Sequence, residues 1–145
     1  MTTQRPVIDV MLILERADGR ILLAERANTG YADGQLNLPS GKVDHGESVA
    51  EAVIREAAEE IGIKLDRDDL RTVHVVHFRN PEGQPRVGWF FAASRWDGEP
   101  VNTEPHKCAG LLWVCPEQLP ENTVPYNAGG IAAYLDGRPH AIEGW

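Results

Sequence analysis

The stretch from Ser48 to Gly62 carries a full set of helix instructions, and it constrains the fold more than any other segment. Ser48 followed three residues later by Glu51 has the form of a capping box, in which each side chain satisfies a backbone amide of the other. Val49, Val53 and Ala57 fall on one stripe, with Ala50, Ile54 and Ile61 beside it, the period of a helix buried along one side. Gly62 stands where the chain must turn out of the helix. A helix with one apolar face needs a surface to cover, and the rest of the chain must supply it.

That surface reads as strands. Val7 to Leu14 is rich in β-branched and long apolar residues. Asp18-Gly19 is a turn signal, and Ile21 to Glu25 reads as the partner strand of an opening hairpin. Arg26 to Gln35, with Gly30 and Gly34, is a loop; Leu36 to Leu38 is a short apolar piece ended by Pro39. Ser40 to Glu47, with Gly41 and Gly46, is a second loop. Leu70 to Phe78 and Val87 to Ser94 are two further strands joined by the turn chemistry of Asn80 to Pro85. Trp96 to Lys107 is an irregular connection, Leu111 to Cys115 a last strand, and Val124 to Leu135 a C-terminal helix weakened by Gly129-Gly130. Trp89, Phe90, Phe91 and Trp113 lie in strand patterns and are expected in the core. His74 and His77, three apart on a strand, face opposite sides of a sheet and are read as structural. The expectation is a mixed α/β (α+β) fold, with residues 1–145 as a single domain, a length that suits one sizeable core.

Charge narrows the function. With 14 Lys and Arg against 22 Asp and Glu, the chain has a formal charge of -8. This argues against a broad electrostatic grip on nucleic acid. An acidic protein that handles phosphates needs positive charge from elsewhere, and a divalent cation is the simplest source. The apolar run from Val7 is short, is interrupted by Asp9 and lacks a small-residue cleavage site, so no signal peptide is read. No run is long enough to span a membrane. Cys108 and Cys115 lack CxxC spacing and are read as reduced thiols in a cytoplasmic protein.

Glu56, Glu59 and Glu60 sit at i, i+3 and i+4 and so share one helix face. Three carboxylates there repel one another, and they lie in the last two turns, where the helix dipole favours cations. Such a pattern is either a solvated acidic face or a place where a bound cation resolves the conflict. Hard oxygen ligands of this kind suit Mg²⁺ or Mn²⁺.

Spacing decides between these two readings. Gly41, Glu47 and the run Arg55-Glu56-Ala57-Ala58-Glu59-Glu60-Ile61-Gly62-Ile63 match G-x5-E-x7-R-E-U-x-E-E-x-G-U, where U is a bulky apolar residue. This resembles the Nudix box, and every position of fixed identity matches. Ala57 departs from the pattern by being small, a difference expected to affect packing and not chemistry. The resemblance implies a Nudix fold, with a mixed sheet between helices and the box as a loop-helix-loop. It implies a hydrolase in which water attacks a phosphorus of a diphosphate bridge, with Mg²⁺ as cofactor and Mn²⁺ as a substitute.

The same resemblance implies site residues. Glu56, Glu59 and Glu60 look like metal ligands, with the Gly41 carbonyl as a further one. Glu56 is favoured as the base that takes a proton from water. Arg55 pairs with Glu51 or Glu59 at helical spacing, either as a clamp that orients Glu59 or as an ordinary surface ion pair. Glu47 either approaches the metal through water or complements the positive end of the helix. Glu104-Pro105-His106-Lys107-Cys108 resembles the E-P-x-K-C stretch of MutT-like nucleotide pyrophosphohydrolases. On that likeness Glu104 is either an extra acid near the metal or an exposed turn residue. Lys107 either contacts phosphate or balances Glu104. Asn28 to Gly34 looks like a loop of some bacterial Nudix proteins, where Tyr31 either stacks on a base or packs over the loop. The substrate expected is a nucleoside triphosphate, oxidised forms included, cut to monophosphate and pyrophosphate. The alternatives are ADP-ribose, nucleotide sugars, dinucleoside polyphosphates or a non-catalytic nucleotide sensor. No nucleic-acid or membrane partner is expected; a homodimer is implied by resemblance alone.

Overall fold

The structure is a computed structural model, and it describes residues 2–145. In chain order the elements are β1 (Val7–Leu14), β2 (Ile21–Arg26), β3 (Leu36–Asn37), β4 (Ser40–Lys42), α1 (Val49–Ile61), β5 (Arg71–Arg79), β6 (Pro85–Ala93), β7 (Cys108–Val114), α2 (Pro125–Leu135) and β8 (His140–Glu143). Five strands form a mixed sheet in the order β4-β1-β6-β5-β8, and three form a second sheet in the order β3-β2-β7.

β1 lies inside the larger sheet, which explains the continuous apolar run from Val10 to Leu14: a strand covered on both faces has no polar side to alternate with. Val10, Leu12 and Leu14 pack toward α1 with Val53, Ala57 and Ile61. Met11 and Ile13 face the other way, with Phe90 and Ile131 of α2. The larger sheet is therefore sandwiched between the two helices.

The opening hairpin expected from Asp18-Gly19 is corrected. The turn exists, with Gly19 at φ 86°, but only an isolated bridge from Glu15 to Ile21 joins the two strands. Both edges of β1 are taken, by β4 antiparallel and by β6 parallel. β2 pairs instead with β3 and β7. The turn thus carries the chain from one sheet to the other. The expected loop at Ser40 also begins as a strand, β4, and β8 was not expected at all.

α1 is as expected. Ser48 accepts the Glu51 amide, Glu51 reaches back to the Ser48 amide, and Gly62 closes the helix at φ 68°. Ala57 is buried, at 1% exposure, so its small size is a packing matter, as expected. α2 forms despite its two glycines because Gly130 lies against the Phe90 ring, where any Cβ would overlap the ring. The low helix propensity at that position is offset by a close helix–sheet contact. Phe90 and Phe91 are core residues. Trp89 and Trp113 are only half-buried and sit at the margin. The Trp89 Nε1–H donates to Thr72 Oγ1 at 3.0 Å, and Trp113 stacks on Trp96. Each ring buries its apolar body and leaves part of its edge wet.

Candidate active site

The site is built where α1 crosses β4. Arg55 projects from the middle of the helix and its guanidinium is fully engaged. Nε and Nη2 donate to the two carboxylate oxygens of Glu47 at 3.0 and 2.7 Å. Nη2 also donates to the Lys42 carbonyl at 3.2 Å. Nη1 donates to Glu56 Oε1 at 2.8 Å and to Glu59 Oε2 at 3.2 Å. Asp44 adds an ion pair at 3.4 Å, and its amide donates to Glu47 Oε1 at 2.8 Å. The Arg55 hydrogen bonds, then the Asp44 amide, hold the Glu47 carboxyl down at about 2. They hold the guanidinium firmly protonated in turn.

Helical spacing pointed to Glu51 or Glu59 as the partner of Arg55. Glu59 is a partner, but Glu51 is committed to the capping box and the main partner is Glu47, in the loop before the helix. The bidentate geometry makes this more than an exposed ion pair. Neither reading of Glu47 foresaw it. Glu59, with its side chain 54% exposed, lies on the outer side of the guanidinium.

Glu56 and Glu60 face inward, against β4. The Ser40 amide donates to Glu60 Oε2 at 3.0 Å. Gly41 lies directly on Glu56, and a Cβ at 41 would overlap its carboxyl group. Burial pushes the Glu60 carboxyl up to about 9; the Ser40 amide opposes this, and the charges of Glu56 and Glu104 add to it. Burial also raises Glu56, against the pull of Arg55 and with the charge of Glu59. The charges acting on Glu60 are thus both negative.

Glu104 arrives from the connection between β6 and β7. The amides of Val101 and Thr103 donate to the carbonyls of Ile61 and Glu60 at 2.9 and 3.3 Å, and the Thr103 hydroxyl donates to the Glu59 carbonyl. This segment satisfies the last carbonyls of α1, which a helix end otherwise leaves unpaired. It also delivers the half-buried Glu104 to Glu60.

Among the described residues, no three acidic, histidine or cysteine side chains stand as a closed chelate. The donor set nevertheless fits a hard divalent cation. It consists of carboxylate oxygens, and the Glu60 carboxyl, half-buried and raised toward its protonated form, ionises more readily once positive charge arrives beside it.

Tyr31 is 66% exposed. The Arg26 guanidinium lies 5.3 Å from its ring centroid and donates to its carbonyl at 2.8 Å. Lys107 is exposed, and its amide closes a turn on the Glu104 carbonyl at 2.9 Å. His74 is buried with Nδ1 2.8 Å from the Arg138 carbonyl, and His77 lies beside Gln4; both are outside the site. Sequence reasoning missed Ser40, Lys42, Asp44 and Thr103. Three of these act through backbone groups or helix-end contacts that residue identity does not announce. The Asp44–Glu47 spacing, with Gly46 between them, was the one available signal of a tight turn before the helix.

The NUDIX domain model matches residues 5–134, and the chain belongs to that family. It is similar to the 8-oxo-dGTP diphosphatase of Escherichia coli, 28% identical over 115 residues that cover 78% of this chain and 87% of the relative. It is 40% identical to the ADP-ribose pyrophosphatase of Methanocaldococcus jannaschii over 78 residues, which cover 54% of this chain and 45% of the relative. Among solved structures, the MutT NUDIX hydrolase from Burkholderia pseudomallei superposes with a TM-score of 0.79 at 32% identity, covering 89% of this chain and 98% of that one. The chain is accordingly a pyrophosphohydrolase, of a family whose members use divalent metal ions.

Proposed function

We propose that this chain is a Mg²⁺-dependent, MutT-like pyrophosphohydrolase. It would cut nucleoside triphosphates, oxidised forms included, to the monophosphate and pyrophosphate, in the cytoplasm and as one domain spanning residues 1–145. The observation that carries the reading is the half-buried pair Glu56 and Glu60, packed against β4, with the negative charges of Glu56 and Glu104 acting on Glu60. Two carboxylates packed this closely are costly unless a cation joins them.

Glu56, Glu59 and Glu60 would hold Mg²⁺, with Mn²⁺ as a substitute, and the Gly41 carbonyl is proposed as a further ligand. When bound, the ion supplies charge neutralisation and polarisation of a phosphoryl oxygen. Glu56, held through one oxygen by Arg55, is favoured as the base that deprotonates the attacking water. Glu47, with both oxygens engaged, serves as the anchor that orients Arg55 and not as a water-mediated ligand. Glu104 adds a carboxylate from outside the helix. The exposed ring of Tyr31 offers a face for the base, and Lys107 a point charge for phosphate.

A second reading, hydrolysis of ADP-ribose, is favoured by one observation, the 40% identity to an ADP-ribose pyrophosphatase over about half the chain. A panel assay separates the two. Purified protein with Mg²⁺ is offered nucleoside triphosphates, oxidised dGTP, ADP-ribose, nucleotide sugars and dinucleoside polyphosphates. Pyrophosphate released from triphosphates alone supports the first reading. AMP and ribose phosphate from ADP-ribose support the second, and binding without turnover of any of them defeats both.

A further inference from the structure

Of the acids gathered around Glu60, Glu104 is the one that does not come from α1, so something must fix it relative to that helix. Two frames meet around it. The segment before it is fastened to the end of α1 through Val101 and Thr103. The segment after it runs into β7, which starts at Cys108, paired with Arg26 of β2. The half-buried side chain of Asn102 joins the two frames. Its Oδ1 accepts from the amide of Glu104 at 3.1 Å, and its Nδ2 donates to the carbonyl of Cys108 at 2.7 Å.

Both ends of the Asn102 amide are therefore used, one on the backbone of Glu104 itself. The Glu104 carbonyl is also held, by the amides of Lys107 and Cys108, each at 2.9 Å. Pro105 restricts the conformation of the residue before it. The backbone of Glu104 is thus pinned on both sides, and Asn102 is the only side chain that makes one of these bonds. An acceptor without a donor, as in Asp, or a single hydroxyl, as in Ser, would reach only one of the two partners.

We infer that Asn102 is a positioning residue of the site: it holds Glu104 at the carboxylates of α1 by bridging the end of that helix to β7. The inference rests on the proposed role of Glu104 at the metal. Outer partners of this kind cost about 10- to 100-fold in metal affinity or activity when removed. The expected losses for Asn102→Ala are about tenfold in kcat and about tenfold in Mn²⁺ affinity, with KM for the nucleotide nearly unchanged.

The test is a double-mutant cycle of Asn102→Ala and Glu104→Gln. It is read by kcat, by KM and by Mn²⁺ binding to substrate-free protein, followed through the electron paramagnetic resonance of free Mn²⁺. If Asn102 acts through Glu104, its substitution changes each quantity by under about twofold once Glu104 is already Gln. The same factor in both backgrounds would overturn the inference while leaving the role of Glu104 intact. Wild-type kcat and Mn²⁺ affinity for Glu104→Gln alone would remove Glu104 from the site, and this inference with it. If Asn102→Ala does not fold, Asn102→Ser replaces it in the cycle. A serine hydroxyl still reaches the Glu104 amide, more weakly, but loses the link to Cys108, and the same two patterns decide.

Discussion

The two ends of the acidic cluster around α1 are treated in opposite ways. At the outer end, Glu47 meets the guanidinium of Arg55 in a bidentate pair and its carboxyl is held down at about 2. At the inner end, the half-buried Glu60 lies under the charges of Glu56 and Glu104, and its carboxyl rises to about 9. The acids are chemically the same and lie around one helix. They differ in whether the chain brings its own cation. The outer end is complete, so it can act as a rigid brace between the loop and the helix. The inner end is left short of positive charge, and such a deficit is what makes a carboxylate cluster useful to a divalent ion and a phosphate.

The largest effect should come from the inner end. Glu60→Gln and Glu56→Gln should each lower kcat by on the order of a hundredfold or more, with the fold intact by circular dichroism. Near-normal turnover for either would mean that the charge deficit is incidental. Next comes the brace. Arg55→Lys keeps the charge but cannot reach Glu47, Glu56 and the Lys42 carbonyl together. It should lose about 10- to 100-fold in activity, and its Mn²⁺ affinity should fall with kcat. A variant in which KM alone changed would show that Arg55 contacts substrate and does not brace the helix.

These two ends were not equally legible in the sequence. The inner acids stood out because i, i+3 and i+4 spacing on a capped helix is local information, and the box fixed their identity. The brace was read only in part: Glu59 is an Arg55 partner as expected, but the main partner, Glu47, lies outside the helix, where helical spacing has no say. Ser40 and Lys42 contribute backbone groups, which any residue carries. The fold divides in the same way. The capping box of Ser48 and Glu51 and the Asn80 to Pro85 turn are short-range and were read correctly. The pairing of β1 with β6 joins residues nearly eighty apart, from Val7 with Arg86 to Leu14 with Ala93. A local turn signal at Asp18-Gly19 therefore suggested the wrong partner. Gly130 shows the converse: an unfavourable local preference overruled by a contact with Phe90 that only the folded chain contains.

A smaller effect, in stability, should separate the two ends by pH. A carboxyl whose folded value lies above its unfolded one contributes most below the unfolded value, and that contribution is lost as pH rises toward the folded one. For Glu60 the window runs from an ordinary carboxylate value near 4.5 up to about 9. Metal-free protein should accordingly lose melting temperature across that range. Mg²⁺ should restore it, and Glu60→Gln should flatten it, with a metal-free gain on the order of 5 °C at pH 8. Parallel curves for wild type and variant in EDTA would show that Glu60 ionises freely.

The smallest expected change lies at the outer end and has the opposite sign. Glu47 is held below its unfolded value, so its contribution is complete above about 4.5 and is lost only as pH falls toward about 2. The brace is therefore constant throughout the interval in which Glu60 titrates. Glu47→Gln should lower the melting temperature by the same amount at pH 6 and pH 9, and it should make the acid limb below pH 4.5 shallower than in wild type. The measurement is a pair of melting curves against pH in EDTA, so that no metal ion contributes. An effect of Glu47→Gln that grew between pH 6 and pH 9 would place Glu47 in the same electrostatic unit as Glu60. The cluster would then titrate as one, and the contrast between a neutralised rim and a charge-deficient centre would be lost.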